Sequence, residues 1–423
     1  MPPPVKHVLI VAFHYPPESS SSGVLRTVKF SRYLADYGWR ATVLTINVAA
    51  YSVTDASLLQ QIPENVNVIR TRFIELRKVI SIAGKYPAIL ITPDAWLGWY
   101  PFAVSAGKAL ARRDKVDAVF STSPHATSHL IAQRIAKSQG LPSIIDFRDP
   151  WYEIPPEPGT PAIVHWFAKH LERRVVARAT RVVASTTSLR NELCARYSNQ
   201  SAEKFSAILN GYDDADFAAL HEPSAAAREP RLVVLHAGSI NLQFRDPRPL
   251  FAALGRLIKS GTIAREKILI RFLGPGDYAE SSEISTCIAD AELAGIVEFL
   301  PRVDYRQGLS QMAKADLLLL LQASDDTATL VPAKLYEYLR ARVPVLALVR
   351  AGATNDVLNA TGGGWCCDPR NSSPLEAHLG NIFQLWSAGQ LASHAADPAR
   401  LAGFDRRVLT GQLASILDAT CAR

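Results

Sequence analysis

The chain has 423 residues, of which 48% are hydrophobic and 20% are charged, and its formal net charge at pH 7 is +7. This length suits two or three globular domains, and the ordinary composition excludes a wholly disordered chain, a collagen and a small disulfide scaffold. No apolar run approaches the roughly 20 residues that a membrane-spanning helix needs. The first residues predict a buried strand rather than a signal peptide. We therefore expect a cytoplasmic protein whose five cysteines are reduced.

The positive charge is concentrated in the first half of the chain. Residues 1–190 contain 23 Lys and Arg against 13 Asp and Glu, whereas residues 191–423 contain 23 against 26. This excess favours an anionic partner for the first half, such as a phosphorylated substrate, a membrane surface or nucleic acid. We see no nucleic acid-binding motif and no regular stripe of aromatic and basic residues, so we do not expect nucleic acid as a partner.

Short apolar runs alternate with helical patterns along the whole chain. The predicted strands are His7–Phe13, Ala41–Ile46, Val66–Arg70, Val116–Ser121, Pro142–Asp146, Arg181–Ala184, Leu232–His236, Ile268–Leu273, Val297–Leu300, Leu317–Leu321 and Val343–Leu348. Strands this apolar are typical of parallel sheets buried on both faces. In the second half, helices are predicted near Pro247–Lys259, Glu280–Ala294, Ala333–Ala341, Pro374–Ala388 and Pro398–Ala419.

The alternation starts twice, which predicts an α/β chain with two doubly wound, Rossmann-like parallel-sheet domains. We place the first domain at residues 1–209 and the second at 210–396, with the polar stretch Asn210–Pro230 at the boundary. Residues 397–423 form a last helix that either extends the second domain or crosses back to the first. Ligands of such folds bind outside the carboxyl ends of the strands, so we expect the site in the loops there, in a cleft between the two domains.

The loop after the first strand, HYPPESSSSGVLR, combines small residues with a helix start. Gly23 lets the backbone approach a ligand closely, and the following helix N-terminus favours an anion. Arg26 lies one turn inside that helix and is expected to point into the cleft. The loop matches neither a P-loop nor a GxGxxG fingerprint, and a flexible serine loop is the alternative.

Two further loops of the first domain carry polar groups, STSPHATSH and DFRDPW. His125 stands at a strand end and is a candidate substrate contact. His125 and His129 have the spacing of a metal pair on a helix, but no third ligand is apparent, so we predict no metal. In the second loop, the Asp149 carboxylate can accept a sugar hydroxyl or its proton, Arg148 can hold a phosphate, and Trp151 adds an apolar platform. A salt-bridged turn is the alternative.

Two loops of the second domain favour a diphosphate ligand. In HAGSINLQFRDPRPL, Gly238 ends a strand and Arg245 precedes a helix, so that backbone N–H groups and a guanidinium form a cradle, with Arg248 as a second candidate. In QASDDTATLVPAKLYEYLR, Lys334 and Glu337 share a face near a helix start. The lysine can take a phosphate and the glutamate can accept both ribose hydroxyls. A surface ion pair is the alternative.

These strings together resemble the GT-B glycosyltransferases, and most closely glycosyltransferase family 4 of the bacterial polysaccharide type. The matching strings are HVLIVAFHYPP with YGWRATVLT, STSPH with DFRDPW, LNGYDDADF, HAGSINLQFRDPRPL, RFLGPGD with VEFLPRV, and VPAKLYEYLRARVPVLAL, in this order along nearly the whole chain. The resemblance implies a nucleotide diphosphate sugar donor held mainly by the second domain. It also implies a saccharide or lipid-linked acceptor, a retaining mechanism, no metal in the active site and no cofactor.

The residues and the resemblance together predict three groups in the site. The groups are catalytic Arg245, Lys334, His125 and Asp149; donor-binding Gly238, Ser239, Arg302, Val303, Thr329, Leu330, Val331 and Glu337; and acceptor-binding Gly23, Arg26, Arg148 and Trp151. Two positions depart from the family pattern, because Ser239 replaces an arginine and Thr329 replaces the first of two glutamates eight residues apart. The resemblance implies front-face transfer, in which Arg245, Lys334 and helix dipoles stabilise the leaving diphosphate.

Two alternatives to a transferase stay open, the first because of the carboxylate missing at Thr329 and the second because nucleotide-sugar epimerases share this fold. One is a non-catalytic partner that binds a nucleotide sugar, and the other is a nucleotide-sugar epimerase of the same fold. The DDAD string at Asp213–Asp216 resembles the metal-binding DxD of another glycosyltransferase fold, but it lies where turn residues are expected anyway, so we predict no metal there.

Residues 70–85, RTRFIELRKVISIAGK, mix basic and apolar side chains. A basic amphipathic helix of this kind can lie on an anionic membrane, and a half-buried helix is the alternative. We therefore hypothesise a lipid-linked saccharide acceptor of a surface polysaccharide pathway, and a cytoplasmic enzyme located peripherally at the inner face of the plasma membrane.

Overall fold

A computed structural model describes residues 5–21, 23–81, 86–151, 159–218, 220, 229–322 and 328–422, and these residues build two parallel sheets. The described residues up to Asn210, together with those from Arg406 onwards, form the first unit. The second unit spans Gly211–Asp405. The predicted architecture of two doubly wound parallel sheets is confirmed.

The first sheet has seven strands in the order β3-β2-β1-β4-β5-β6-β7. The strands are β1 (Lys6–Ala12), β2 (Trp39–Ile46), β3 (Asn67–Thr71), β4 (Ala118–Thr122), β5 (Ser143–Phe147), β6 (Arg181–Ala184) and β7 (Phe205–Ala207). Neighbouring strands pair in parallel, with Val8 opposite Ala41 on one side and Ala118 on the other.

The second sheet has six strands in the order β10-β9-β8-β11-β12-β13. The strands are β8 (Leu232–Ala237), β9 (Ile268–Leu273), β10 (Val297–Leu300), β11 (Leu317–Gln322), β12 (Val345–Val349) and β13 (Gly364–Cys367). These strands also pair in parallel.

Helices cover both sheets. Those of the first unit are α1 (Gly23–Tyr33), α2 (Leu76–Ile80), α3 (Tyr100–Arg113), α4 (Thr127–Gln139), α5 (Ala162–Arg178), α6 (Thr187–Arg196) and α15 (Arg406–Cys421). Those of the second unit are α7 (Asp214–Ala218), α8 (Arg248–Lys259), α9 (Ser282–Asp290), α10 (Tyr305–Lys314), α11 (Ala333–Arg340), α12 (Ala353–Thr361), α13 (Ser372–Ser387) and α14 (Pro398–Leu401).

The central strand β1 shows why the strands are apolar throughout. Val8 and Ile10 point into the cluster that includes α1 and α15, whereas Leu9 and Val11 point into the cluster that includes α3 and α4. Successive side chains of a strand alternate between faces, so a strand covered by helices on both sides needs an apolar residue at every position.

Chain order reverses at one place in each sheet. The strands on either side of this switch point are β1 and β4 in the first unit and β8 and β11 in the second. Connections leave such a pair in opposite directions, which opens a crevice at the carboxyl ends of the strands. The loops after these strands are therefore the places where ligand contacts are expected.

Three sequence-based expectations about elements were incomplete or wrong. The short strands β7 and β13 were missed, because three or four residues carry too little alternation to be recognised. The helix predicted at Pro398–Ala419 is divided into α14, a 3-10 turn at Ala402–Phe404 and α15, because the backbone at Asp405 is extended.

The amphipathic helix predicted over residues 70–85 was also wrong. Arg70 belongs to β3, where its guanidinium donates to the carbonyl of Pro16, and only Leu76–Ile80 is helical. Pairing with β2 supplies the backbone of Arg70 with a parallel ladder that a helical pattern read from sequence does not reveal. The predicted side chains of Ile82 and Lys85 lie outside the described residues.

Candidate functional site

The carboxyl end of β8 brings a lysine of α11 against the backbone. Gly238 follows the strand with φ of 113°, and a Cβ atom at this position would lie 2.6 Å from the Lys334 Nζ atom. The Lys334 ammonium donates to the carbonyl oxygen of Ala237 at 2.6 Å. Glycine is therefore required here both for the backbone conformation and for the close approach of the ammonium group.

Arg245 reaches the same strand end from the loop before α8. Asn241 and Arg245 exchange backbone hydrogen bonds of 3.2 and 3.1 Å, which close the loop on itself. The Arg245 guanidinium donates to Ser239 Oγ at 2.7 Å. The sequence-predicted cations Arg245 and Lys334 are thus brought together beside Gly238, although they are 89 positions apart in the chain.

The pKa values of both cations are lowered. Burial and, to a smaller extent, the positive charge of Arg245 together lower the pKa of Lys334 to about 7, against the opposite effect of Glu337. Burial also lowers the pKa of Arg245. Among the described residues, neither cation forms an ion pair with a carboxylate. An anion bound at Gly238 would remove this electrostatic cost, because it would supply the missing negative charge.

Glu337 lies one turn after Lys334 on α11, which begins after Pro332. Its side chain is buried, and its Oε1 atom lies 3.0 Å from the Tyr305 hydroxyl. The same hydroxyl lies 3.2 Å from Asp216 Oδ2, so Tyr305 can donate its proton to one of two carboxylates. Sequence analysis missed Tyr305 and Asp216 in this role. Asp216 belongs to the DDAD string, where a turn was expected, and Tyr305 begins α10 after β10.

The remaining predicted donor residues surround this strand end. Exposed Arg302 passes close to Gly274, whose Cβ atom would lie 3.3 Å from the Arg302 Cα atom, and Val303 packs on the apolar core. Thr329 and Leu330 are half-buried before α11, and the Leu330 carbonyl accepts from Thr354 Oγ1 at 3.0 Å. Val331 is buried in the core, so its side chain is structural. Residues 323–327 of the same predicted loop lie outside the described residues.

In the first unit, two imidazoles meet at the ends of β1 and β4. The rings of His14 and His125 stack with centroids 5.1 Å apart and an interplanar angle of 25°. Phe13 contacts His125 edge-on, with centroids 4.3 Å apart. Burial and the neighbouring His14 lower the pKa of His125 to about 3, so the imidazole is neutral at physiological pH. Within the described residues, its ring nitrogens have no hydrogen-bond partner.

A buried carboxylate holds His14 in this position. Glu18 Oε2 lies 2.8 Å from His14 Nδ1, and Glu18 Oε1 accepts from the Ser20 backbone N–H at 2.7 Å. Although burial alone would raise the pKa of Glu18, the hydrogen bonds from His14 and Ser20 lower it overall. Glu18 is therefore an anion that orients His14, a role that the sequence analysis did not assign.

Arg148 and Asp149 follow β5 at the same edge of the sheet. A Cβ atom on Gly23 would lie 1.6 Å from Arg148 Nη1, so the guanidinium occupies the space that a larger residue at the start of α1 would fill. The Arg148 backbone N–H donates to Ser123 Oγ at 2.8 Å. Asp149 is half-buried and counteracts the lowering of the Arg148 pKa by burial. Gly23, Arg148, His125 and Asp149 thus lie at one end of the first sheet.

Two predicted acceptor residues have structural roles instead. Arg26 is 1% exposed, and its guanidinium forms a two-pronged ion pair with Asp146, with hydrogen bonds of 3.0 and 2.7 Å. It also donates to the carbonyls of Ile208 and Leu209, so the expectation that it points towards a ligand does not hold. Trp151 packs on Phe147 and His129 rather than forming an open platform.

The rejected metal sites are occupied by protein contacts. His129 is fully buried, and its Nδ1 atom lies 2.8 Å from Ser121 Oγ. In the DDAD string, Asp213 caps α7, Asp214 pairs with Arg340, and Asp216 contacts Tyr305. No cluster of three or more potential metal ligands occurs in the part of the chain that the structure describes.

Comparison with known proteins identifies a family domain in the first part of the chain. Residues 24–211 match the family described as Glycosyl transferase 4-like domain. No curated protein sequence matches the chain.

Solved structures extend the likeness over nearly the whole chain. A glycosyltransferase from Rickettsia africae has a TM-score of 0.67 with 14% identity, covering 98% of both chains. Anabaena HepE in complex with UDP has a TM-score of 0.67 with 16% identity, covering 98% of this chain and 100% of that chain. A putative UDP-N-acetylglucosamine 2-epimerase from Listeria monocytogenes has a TM-score of 0.60 with 11% identity, covering 98% of this chain and 96% of that chain. Residues 24–211 therefore match a glycosyl transferase 4-like domain, and the chain has the GT-B fold; the two findings together support glycosyl transfer as the general activity.

Proposed function

We propose that this chain transfers a hexosyl group from a nucleotide diphosphate sugar to a saccharide or lipid-linked acceptor. The reaction belongs to the synthesis of a cell-surface polysaccharide. The enzyme works in the cytoplasm, peripherally at the inner face of the plasma membrane.

The observation that carries this proposal is the convergence of Arg245 and Lys334 on Gly238. Both cations are partly withdrawn from water, and their nearest polar contacts are neutral, the Ser239 hydroxyl and the Ala237 carbonyl. A diphosphate placed against Gly238 would accept charge-assisted hydrogen bonds from both side chains. These bonds strengthen as negative charge develops on the leaving diphosphate, so they favour the transition state over the bound donor.

Glu337 fits the neighbouring ribose. A carboxylate can accept hydrogen bonds from two adjacent hydroxyl groups, and Tyr305 holds this one in place. The backbone at Arg302 and Val303 would meet the base, and Ser239 with Thr329 and Leu330 would line the donor site. Anabaena HepE, which shares this fold, has been solved in complexes with UDP and with UDP-glucose, which supports a nucleotide sugar as the donor.

The mechanism proposed for this donor site is retaining, and it uses neither a metal nor a cofactor. Arg245 and Lys334 supply positive charge at the leaving group, and the departing phosphate takes the acceptor proton on the same face of the sugar. In the first unit, neutral His125 can accept a hydrogen bond from an acceptor hydroxyl. Asp149, Arg148 and the start of α1 at Gly23 would position the rest of the acceptor.

Calorimetric titration with UDP, GDP and ADP tests the donor site directly. We expect one of these nucleotides to bind, and we expect Arg245→Ala to weaken its binding by about ten- to a hundredfold, because one charge-assisted hydrogen bond is lost. Arg248→Ala is the matched control, because Arg248 lies only three positions further along, at the start of α8, and is already paired with Asp246 at 2.7 Å. Equal losses in both variants, or no nucleotide binding by the wild type, would refute the site.

Product analysis distinguishes the transferase from the alternatives. With an acceptor present, we expect NMR of the product to show the anomeric configuration of the donor, and turnover to survive addition of EDTA. An epimerase would convert the nucleotide sugar in the absence of any acceptor, and a non-catalytic partner would bind it without turnover. Glu337→Ala should abolish transfer while leaving the thermal unfolding transition of the free protein nearly unchanged.

A further inference from the structure

Three large apolar side chains of the first unit are exposed side by side. Leu90, in the 3-10 turn Ala88–Ile91, is 53% exposed, and Ile163 and Trp166 on α5 are 58% and 59% exposed. Ile163 and Trp166 lie three positions apart on one helix face, and α5 packs against the 3-10 turn that carries Leu90. We call Leu90, Ile163 and Trp166 the apolar patch. Side chains of this size are usually buried, so a group of them on the surface marks a contact region.

The helices around the apolar patch carry almost only positive charge. α3 packs on α4 and α4 on α5, and the three helices contain three, two and four Lys or Arg residues respectively. Their only carboxylate is Glu172, which is fully buried and paired with Arg196. The exposed cations on α4 and α5 are Arg134, Lys137, Lys169, Arg173, Arg174 and Arg178.

A groove between α4 and α5 is lined by both apolar and basic side chains. It has a volume of about 750 Å³, and Leu130 and Leu171 lie among Arg134, Arg174 and Arg178 in its lining. Long basic side chains in such a position can keep their charge in water while their methylene groups cover apolar surface. The indole of Trp166 is stacked on His170, with ring centroids 5.6 Å apart and an interplanar angle of 13°, which fixes its orientation.

We propose that this face of the first unit, formed by α4, α5 and the apolar patch, docks on the surface of an anionic lipid bilayer. The cations are attracted by acidic headgroups, and Trp166, Ile163 and Leu90 enter the boundary between headgroups and acyl chains. Nucleic acid would satisfy the cations but would leave the aliphatic side chains in water. No helix among the described residues is long and apolar enough to cross a membrane.

This docking surface rests on the proposed location at the inner face of the plasma membrane and names the part of the chain that meets the membrane, in place of residues 70–85. It uses none of the side chains assigned to donor or acceptor. Binding to vesicles is consequently measured without any sugar, and a failure here would leave the donor site untouched.

Sedimentation with vesicles of phosphatidylcholine, with or without phosphatidylserine, tests the proposal. We expect binding only when phosphatidylserine is present, and we expect added salt to weaken it. Replacing Lys169, Arg173 and Arg174 by alanine should reduce the affinity by about fivefold per residue, or roughly a hundredfold in total. The double variant Ile163→Ala with Trp166→Ala should lose at least about tenfold, because its apolar contact is removed.

The matched control removes three exposed cations from the second unit, with Arg256, Lys259 and Lys267 replaced by alanine. This variant has the same net charge as the first triple variant and should bind vesicles like the wild type. Equal loss in both triple variants would show a non-specific charge effect and overturn the proposal. Wild-type binding by the Ile163–Trp166 variant, or a lack of phosphatidylserine binding by the wild type, would also overturn it. Binding to a short RNA is measured with the same variants. If the first triple variant lost RNA binding but bound vesicles like the wild type, the proposal would also be overturned.

Discussion

The two units hold the basic side chains at their strand ends differently. In the first unit, Arg26 is neutralised inside the protein by Asp146, and His14 is held by Glu18. In the second unit, Arg245 and Lys334 are held by a hydroxyl and a carbonyl, and within the described residues neither meets a carboxylate as an ion pair.

This difference separates charges that build the fold from charges that are available to a ligand. The five N–H groups of Arg26 are directed at the Asp146 carboxylate, at two backbone carbonyls and at Asn210 Oδ1, so this buried arginine has no donor left to recognise a substrate. A lysine whose pKa is lowered to about 7 is under electrostatic strain that an incoming anion relieves. In this protein, a cation without a carboxylate partner therefore indicates a ligand site better than the type of the residue or its place in a loop does.

The strongest test of the comparison is Arg26→Ala. This change leaves Asp146 buried without its cation, so we expect the free energy of unfolding to fall by about 3–5 kcal/mol. Urea denaturation measures this. As the control, Lys6→Ala removes an ion pair whose two side chains are 45% and 48% exposed, and it should cost less than about 1 kcal/mol. If Arg26→Ala kept its stability and lost acceptor binding instead, the contrast between the units would fail.

The second test uses the pH dependence of Lys334. Its protonated form binds a diphosphate, and with a pKa of about 7 this form is lost as the pH rises through neutrality. Affinity for UDP-glucose, whose diphosphate does not titrate there, should fall by about tenfold between about pH 6 and about pH 8. The stability of the free protein depends on pH with the opposite sign. Between about pH 7 and the ordinary lysine pKa of 10.5, the unfolded chain binds a proton that the folded chain does not, so the free energy of unfolding rises with pH there.

Titration calorimetry in buffers with different ionisation enthalpies checks this dependence, because binding should take up a proton near neutral pH. Lys334→Arg provides the control, since arginine stays charged over the whole range. An unchanged pH profile in that variant would assign the dependence to another group.

The smallest expected effect concerns the hydroxyl that holds Arg245. Ser239→Ala removes one hydrogen bond of 2.7 Å and should weaken nucleotide binding by about two- to tenfold. Ser260→Ala, which removes a serine hydroxyl bonded to the Leu257 carbonyl at the end of α8, should have no effect on nucleotide binding. A larger loss for Ser239→Ala than for Arg245→Ala would mean that the hydroxyl itself contacts the ligand.

Much of the architecture could be predicted from the sequence because burial on both faces makes the strands continuously apolar. The runs at Arg181–Ala184, Ile268–Leu273 and Val297–Leu300 coincide with β6, β9 and β10. Prediction failed where a pattern is shared by two structures. The segment after Arg70 has basic and apolar side chains at helical spacing, yet hydrogen bonding to β2 makes its first residues a strand.

The candidate site was predictable only where position along an element implies position in space. Arg245 lies in the loop after β8, and Lys334 lies at the start of α11, the helix that follows β11. Because β8 and β11 are neighbours in the sheet, the convergence of the two cations could be inferred. Asp146, the partner of Arg26, lies 120 positions away in the chain, and no residue near Arg26 in the sequence indicates this ion pair. The same holds for Tyr305, whose two carboxylate neighbours come from α7 and α11.

The return of α15 to the first unit has a consequence for how the chain is made. Leu409, Leu413 and Leu417 of this helix complete the apolar cluster that contains Val8 and Ile10. These leucines leave the ribosome only after all of Gly211–Asp405 has been synthesised. The nascent first unit therefore has α1 but not α15 on this face of its central sheet until the second unit has been synthesised.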